Sequence, residues 1–450
     1  MSNITYAGYI AIFIMFLQLI KLRGKFYLLP TFPLAVICFS FYNFFGHFST
    51  IQITLKTELL LLTSFVVFLC AYSVSRKWKY RKVVTFINCF INRKNTSSEL
   101  LTTSKAIYIY IIIVIFYCCF DLWLNTYIYG SLESALTRFY VKRPVAEVPN
   151  ILITFQLFFY KAIVAFAFIF RYYYNCNGKK SNLLYVVVLL LVLIAFPKGS
   201  RGAVISPIMI LLTADLFAKR FLLNFILTKR IREYIILGSF VFALFFTLTF
   251  IRGIDLEDLS SAIEVLEDFK LDQGTEEFSE HEKDLMIRDL QFTFDSFGEK
   301  YSFIGPFYTL YAIAVNPIPR FLYVGKPVGF GIFLTEAKFG TGDFSIKHLE
   351  ALNTGFAVGV AGEGWANGGL IGLLFYSVIF GFYSGFFSRL FSVYIKSQAN
   401  FVALVFALLF FQASSSFIRG DLQSGVTQGI YPIVIMFFVI KIFFRKVHSK

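Results

Sequence analysis

Residues 183–218 read LLYVVVLLLVLIAFPKGSRGAVISPIMILLTADLFA, two long apolar runs that meet at the short break FPKGSRG, residues 196–202. A helix needs about 20 apolar residues to cross the hydrocarbon core of a bilayer, and each run approaches that length. Ser200 is a suitable N-cap residue for the second helix, and Gly202 leaves space beside the backbone. We therefore expect two transmembrane helices joined by a tight turn.

The composition of the chain extends this interpretation to its whole length. Of the 450 residues, 57% are hydrophobic and only 15% are charged, with a mean hydropathy of +0.69. A water-soluble domain with that balance would aggregate, so we predict an all-α polytopic membrane protein. Apolar runs of spanning length predict about eleven transmembrane helices, near residues 4–20, 26–45, 58–75, 106–120, 151–170, 182–197, 202–218, 233–251, 368–388, 399–418 and 428–444.

Lysine and arginine residues set the predicted orientation. The loop at 76–105 carries eight basic residues and one acid, and the segment at 219–232 carries five basic residues. Cytoplasmic loops are enriched in these residues, so we place both segments and the basic C-terminal tail in the cytoplasm, with the N-terminus outside. The same rule accounts for the net charge of +15, and we expect no nucleic-acid partner.

The predicted topology divides the chain into three parts. Residues 1–252 hold eight transmembrane helices, residues 253–367 form a large outer loop, and residues 368–450 hold three further helices and a cytoplasmic tail. The loop is acidic, because residues 253–353 contain 18 acids and 8 basic residues. Its first half predicts amphipathic helices. Its second half is rich in glycine and proline, which predicts irregular backbone folded against the membrane surface.

Several cations fall on the outer side of this topology, where positive charge is not expected. They lie at or near helix ends: Lys198, Arg201, Arg252, Arg320, Lys326 and Arg419. Helix N-termini attract anions, and guanidinium groups bind phosphate through paired hydrogen bonds. We predict that these side chains face one cavity and bind a phosphate or pyrophosphate. The alternative is that they hold ordinary phospholipid headgroups or acids of the outer loop.

Two residues near the same surface are candidates for proton transfer. Glu363 lies between glycines just before the ninth span, where a carboxylate could orient a hydroxyl or act as a general base. His348 lies on the approach to that span and can accept a proton near neutral pH. Structural roles stay open for both, an ion pair with an arginine for Glu363 and a solvated position for His348. The sequence contains no nucleotide-binding or metal-binding motif, so we expect no cofactor and no metal.

Three stretches of the chain resemble the O-antigen and capsule polymerases of the Wzy type, which join oligosaccharide repeat units. They are GSRG at 199–202 at the start of a span, NPIPR at 316–320 with GKP at 325–327, and EGWANGG at 363–369 leading into a span. The hydropathy profile, with many helices and one large outer loop late in the chain, is similar over nearly the whole length.

What the resemblance implies is a membrane glycosyltransferase of the C type in the bacterial inner membrane. Such an enzyme transfers a growing glycan from undecaprenyl pyrophosphate to the next undecaprenyl-pyrophosphate-linked repeat unit, on the outer face. The predicted cations would bind the two pyrophosphates, with Arg201 stabilising charge on the departing one. Glu363 or His348 would assist the attacking hydroxyl. A chain-length regulator of the Wzz type would be a partner.

Three other functions stay open. An O-antigen ligase uses the same donor but transfers the glycan to lipid A core, and a catalytic histidine in the outer loop would favour it. A lipid-linked oligosaccharide flippase would need polar residues along the middle of several spans, where the sequence places only Lys161. A membrane scaffold would use its arginines only to bind lipid.

Overall fold

The structure is a computed structural model in which helices dominate. It describes residues 6–22, 38, 53–78, 104–136, 150–176, 183–198, 207–208, 211, 214, 239, 243, 287–316, 318, 322–323, 325–340, 342–351, 356–397, 417–418, 420–423 and 425–426. In chain order the helices are α1 (Tyr6–Leu22), α2 (Leu55–Lys77), α3 (Ser104–Tyr129), α4 (Leu132–Leu136), α5 (Asn150–Cys176), α6 (Leu183–Ala195), α7 (287–296), α8 (Tyr308–Val315), α9 (Phe330–Phe339), α10 (Ile346–Ala351) and α11 (Gly359–Ser397). These residues contain no β-strand.

Four described helices are long and apolar enough to cross a membrane: Leu55–Lys77, Ile107–Tyr129, Phe155–Tyr172 and Gly359–Leu390. They correspond to the third, fourth, fifth and ninth predicted spans, so the prediction of an all-α membrane protein is confirmed. α1 and α6 match the first and sixth predicted spans but are shorter apolar helices. The other five predicted spans fall almost wholly outside the described residues, so their existence stays a prediction.

α2 and α11 pack closely because small residues line their interface. A Cβ atom built on Gly381 would clash with the carbonyl oxygen of Phe68. Ser64 and Ser377 hydrogen-bond across the interface at 2.8 Å. In lipid there is no hydrophobic gain from pairing two apolar helices, so close backbone approach and polar contacts hold such pairs together.

The two helices run parallel to each other. The hydrogen-bonded Ser64 and Ser377 are 313 residues apart in sequence, and so are Tyr72 and Gly385, which are also in contact. A constant separation means that residue numbers increase in the same direction along both helices. The N-terminal end of α2 therefore lies on the same side as the start of the spanning part of α11, as the predicted topology requires of its third and ninth spans. Lys56, at that end of α2, forms an ion pair with Glu299 at 3.2 Å. The described part of the large loop thus packs on this side.

α11 is not one continuous helix. It is interrupted at Gly369, whose φ of 59° and ψ of −142° are not helical. A Cβ atom on Gly364 would lie 2.9 Å from the Cα atom of Leu373, whereas nine residues of continuous helix cover about 13 Å. The chain therefore folds back. A short arm, residues 359–367, packs antiparallel against the start of a long arm, residues 370–397, which is still long enough to span a bilayer.

Glycine is required at this fold-back for two reasons. The positive φ of Gly369 is strained for any residue with a side chain. At Gly372 there is no space for a Cβ atom, which would clash with the carbonyl oxygen of Gly364. The glycine-rich sequence before the ninth span thus encodes a helical hairpin.

A second group of helices, α3, α5 and α6, surrounds its own apolar core, in which Phe168 and Leu191 are fully buried. α3 continues to Tyr129, past residue 120 and past Trp123, the furthest residue to which the sequence extends this span. The longer helix includes Asp121, which is 1% exposed. The prediction that charges other than Lys161 collect at span ends is therefore wrong for Asp121.

The described part of the outer loop, residues 287–351, packs on α2 and α11. Its buried aromatic side chains, Phe294, Phe297 and Phe330, belong to the same apolar cluster as Phe65 of α2. Regular helices in this lobe are short, and residues 301–305 and 326–329 have no regular secondary structure. α7 lies in the first half of the loop, and the rest of that half, residues 253–286, lies outside the described residues.

Candidate functional site

Glu363 is at the centre of a buried polar cluster. Its side chain is 1% exposed. One carboxylate oxygen accepts a hydrogen bond from the hydroxyl of Thr309 at 2.9 Å, and the other accepts one from the backbone N–H of Leu422 at 3.0 Å. Asn367 donates to the hydroxyl oxygen of Thr309 at 2.9 Å and to the carbonyl oxygen of Glu363 at 2.7 Å. Both carboxylate oxygens of Glu363 are thus occupied by donors from other parts of the chain.

This cluster joins segments of the chain that lie next to residues of the site predicted from the sequence. Thr309 lies in α8, which ends immediately before the stretch at 316–320. The backbone N–H of Gly359 donates to the carbonyl oxygen of Gly420 at 3.1 Å, so the short arm begins beside the residue that follows Arg419. Asp421 interacts electrostatically with Glu363. Segments far apart in sequence are therefore brought together around Glu363.

Lys326 is buried in the turn that follows α8. It is 7% exposed, and its ammonium group donates to the carbonyl oxygens of Asn316 and, at 3.1 Å, Ile318. Carbonyl groups at a helix C-terminus lack partners within the helix, and a lysine is a favourable donor to them. The position of Lys326 is explained by this turn, and its role in binding pyrophosphate stays a prediction.

His348 forms a pair with a buried carboxylate, that of Glu336. The distance from His348 Nε2 to Glu336 Oε2 is 2.8 Å, and the side chains are 36% and 1% exposed. Glu336 Oε1 also accepts from the backbone N–H groups of Gly342 at 2.7 Å and Asp343 at 3.1 Å. Glu336 therefore fixes the loop between α9 and α10 and orients the imidazole of His348.

The charge state of Glu336 determines what His348 can do. Burial disfavours the charged form of Glu336, but hydrogen bonds from His348 and the two backbone N–H groups outweigh it, so the pKa of Glu336 is lowered. An ionised carboxylate can only accept, so Nε2 of His348 must carry a hydrogen. In the neutral imidazole the lone pair then lies on Nδ1, the nitrogen able to act as a base. The sequence indicated His348 as a candidate but gave no reason to pair it with Glu336.

The predicted arginines cannot be placed in this arrangement. Arg201, Arg252, Arg320 and Arg419 all lie outside the described residues, and Lys198 is described only as the end of a short 3₁₀ turn, Phe196–Lys198. Their convergence on one cavity stays a prediction. Lys161, in the middle of α5, is partly buried.

A second buried polar group surrounds Asp121, which the sequence indicated only as a possible partner for the arginines. Asp121 accepts hydrogen bonds from Gln156 at 2.6 Å, from Asn125 at 2.8 Å and from the hydroxyl of Tyr117 at 3.1 Å. A pocket of about 160 Å³ beside it is also lined by Pro197, at the start of the break that precedes Arg201. The spacing of Asp121 and Asn125, one helical turn apart in an apolar run, was the available signal.

Among the described residues, no group of three or more histidine, cysteine, aspartate or glutamate side chains could hold a metal ion. Comparison with family models, with curated proteins and with solved structures finds no match for this chain.

Proposed function

We propose that this protein is a glycosyltransferase that joins undecaprenyl-pyrophosphate-linked oligosaccharide repeat units into a polysaccharide, on the outer face of the bacterial cytoplasmic membrane. The observation that supports this proposal best is the buried network around Glu363. It brings together α8, which ends before the stretch at 316–320, the short arm of α11, which holds most of the stretch at 363–369, and residues 420–422, which follow Arg419 of the predicted cation site. The eleven spans, the outside N-terminus and a C-type glycosyltransferase fold are parts of the same proposal.

In the proposed reaction, a hydroxyl oxygen of the acceptor repeat unit attacks the anomeric carbon of the donor glycan. A new glycosidic C–O bond forms, the C–O bond to undecaprenyl pyrophosphate breaks, and the hydroxyl proton passes to a base. We assign the base to His348 through Nδ1, because Glu336 holds its Nε2. Glu363, whose oxygens already accept two hydrogen bonds, keeps the segments of the site together. Arg201, Arg252 and Arg320 bind the pyrophosphates and stabilise the leaving group.

Reconstitution tests the proposal directly. The purified protein is placed in proteoliposomes with one lipid-linked repeat unit, and the products are separated by size. A ladder of lengthened lipid-linked glycans is expected, with no nucleotide sugar or metal added. Replacing Arg201, Arg252 and Arg320 one at a time by alanine should abolish the ladder while protein abundance is unchanged. If all three variants still make long products, the pyrophosphate-binding role is refuted.

A ligase is the second candidate, and the paired histidine of the outer loop favours it. Supplying lipid A core beside the lipid-linked donor separates the two reactions. A ligase would attach glycan to the core and make no ladder from the donor alone.

A flippase is favoured by a different observation, the buried polar group of Asp121, Asn125 and Gln156 between α3 and α5. It would move the lipid-linked substrate across the bilayer of the proteoliposome without lengthening it. Accessibility of the glycan to an added lectin, measured beside product length, distinguishes this outcome from polymerisation.

A further inference from the structure

In α8 and the residues around it, the exposed side is apolar and the buried side carries a polar residue, the opposite of a helix in water. Its exposed side follows a helical stripe made by Phe307, Tyr311, Ala314 and Ile318. Its buried side carries Thr309, which is 1% exposed and bonded to Glu363. A helix on an aqueous surface turns its polar side chains outward, whereas a helix surrounded by lipid turns its apolar side chains outward and keeps polar groups among protein.

The chain around this helix is free of charge. No charged residue occurs from 301 to 319, although the outer loop as a whole is acidic. The exposed apolar side chains are large: Phe307 is 63% exposed, Leu322 is 68% exposed and Phe303 is 43% exposed. The hydroxyl of Tyr311, the polar tip of the stripe, is hydrogen-bonded to that of Tyr323. We call this surface, made of Phe303, Phe307, Tyr311, Ile318 and Leu322, the apolar lip.

The apolar lip is continuous with the surface of the spanning helix. Phe307 meets Phe375 of the long arm edge to face, with ring centroids 5.8 Å apart. Next to Phe375, the long arm exposes Leu370 at 50% and Ile371 at 80%, both at the start of a helix long and apolar enough to cross a membrane. Lipid must cover those side chains if the helix spans, and the contact of Phe307 with Phe375 joins the apolar lip to the same surface.

A second exposed aromatic residue shows the contrast within the same lobe. Phe339, at the end of α9, is 65% exposed, almost the same as Phe307. The chain around it differs in polarity, because the exposed residues that follow Phe339 in the sequence include Asp343, Ser345 and Lys347. Phe307 and Phe339 therefore share residue type and exposure but not the polarity of the surface around them.

We propose that the apolar lip is immersed in the bilayer, in the leaflet that holds the N-terminal end of α2, and that its partner is lipid acyl chains. α8 is then a membrane-embedded wall beside the helical hairpin of α11, although it lies within the segment that the sequence assigned to the outer loop. Thr309 faces the protein interior from within the membrane, and the Glu363 cluster is covered by protein rather than by water. This inference does not depend on the proposed enzymatic activity.

Photo-crosslinking tests the proposal. p-Benzoylphenylalanine replaces Phe307, Phe375 or Phe339, one at a time, in the full chain reconstituted into nanodiscs of phosphatidylcholine. After irradiation, covalent lipid adducts are counted by mass spectrometry of the intact protein. Position 375 is the positive control in the spanning helix, and position 339 is the control matched in residue type and exposure.

We expect adduct yields at 307 and 375 within about twofold of each other, and a yield at 339 at least tenfold lower. A yield at 307 as low as that at 339 would overturn the proposal, and so would crosslinking of position 307 mainly to another protein in cell membranes. If the variant at 307 does not fold, p-benzoylphenylalanine at Tyr311, which is 47% exposed, provides the same comparison.

Discussion

Replacement of Glu363 by alanine should destabilise the protein severely, whatever reaction the protein catalyses. The change removes the acceptor of two buried donors, the hydroxyl of Thr309 at 2.9 Å and the backbone N–H of Leu422 at 3.0 Å. Leaving a buried donor unsatisfied costs roughly 1–3 kcal/mol, so the two together cost about 2–6 kcal/mol. Since folded proteins are stable by only about 5–15 kcal/mol, this loss removes a large share of the total.

Glutamine at the same position separates the structural role of Glu363 from a catalytic one. The amide keeps the volume of the side chain and one oxygen acceptor, so one of the two donors is still satisfied. We expect a smaller loss, about 1–3 kcal/mol. The variant Thr309→Val removes the other partner of the same bond, and the double change Glu363→Gln with Thr309→Val should cost less than the sum of the single changes.

The assay is thermal unfolding of the purified protein in detergent, read as the fraction that stays monodisperse after heating, together with the product ladder from proteoliposomes. If the structural reasoning is right, Glu363→Ala has the lowest unfolding temperature and Glu363→Gln keeps part of both stability and activity. Equal unfolding temperatures for the alanine variant and the unmodified protein would refute the structural reasoning. Full stability with complete loss of the ladder in the glutamine variant would instead identify Glu363 as a general base.

Two further predictions follow from contacts elsewhere in the structure. Gly385→Leu should destabilise the α2–α11 pair by roughly 1–3 kcal/mol, because a Cβ atom at Gly385 would already lie 2.9 Å from the Cβ atom of Ser75. The matched control is Val378→Leu, at a 47% exposed position of the same helix, and this variant should unfold at the same temperature as the unmodified protein. Glu336→Gln should lower stability at neutral pH. The folded-state pKa of Glu336 is depressed below 4.5, so its ionisation stabilises the fold above the unfolded-state pKa, and that stabilisation is lost as pH falls through the folded-state value. The stability difference between the two proteins should therefore shrink in acid, below about pH 5, and a difference independent of pH would contradict the assignment.

The spanning helices could be predicted because the bilayer imposes a simple rule on the sequence. Long apolar runs at 58–75, 106–120, 151–170 and 368–388 all correspond to helices, since only a helix of that length satisfies its own backbone groups in lipid. The extension of α3 beyond Trp123 to Tyr129 could not be predicted in this way. A charge in an apolar run indicates a helix end unless its partners are known, and one of the partners of Asp121, Gln156, is 35 residues away.

The candidate site could likewise be predicted only in part. Glu363 and His348 were identified from residue type and position, but their partners could not be. Glu336 and His348 are 12 residues apart and lie in different helices, and Thr309 and Glu363 are 54 residues apart. Hydrogen bonds between side chains so far apart have no periodic signature, because they depend on how α8, α9, α10 and α11 pack.

The sequence by itself determined that this is a helical membrane protein, because the apolar content and the length of each apolar run depend only on residues that are close together in the chain. For the glycine-rich segment before the ninth span it predicted irregular backbone, whereas residues 359–367 are helical. Only the tertiary structure decided that this segment folds back at Gly369 as a helical hairpin, that Glu363 faces protein donors, and that α8 turns its apolar side outward. The physical reason is that burial, hydrogen-bond partners and contact with lipid are properties of a surface, and surfaces form only when segments distant in sequence come together.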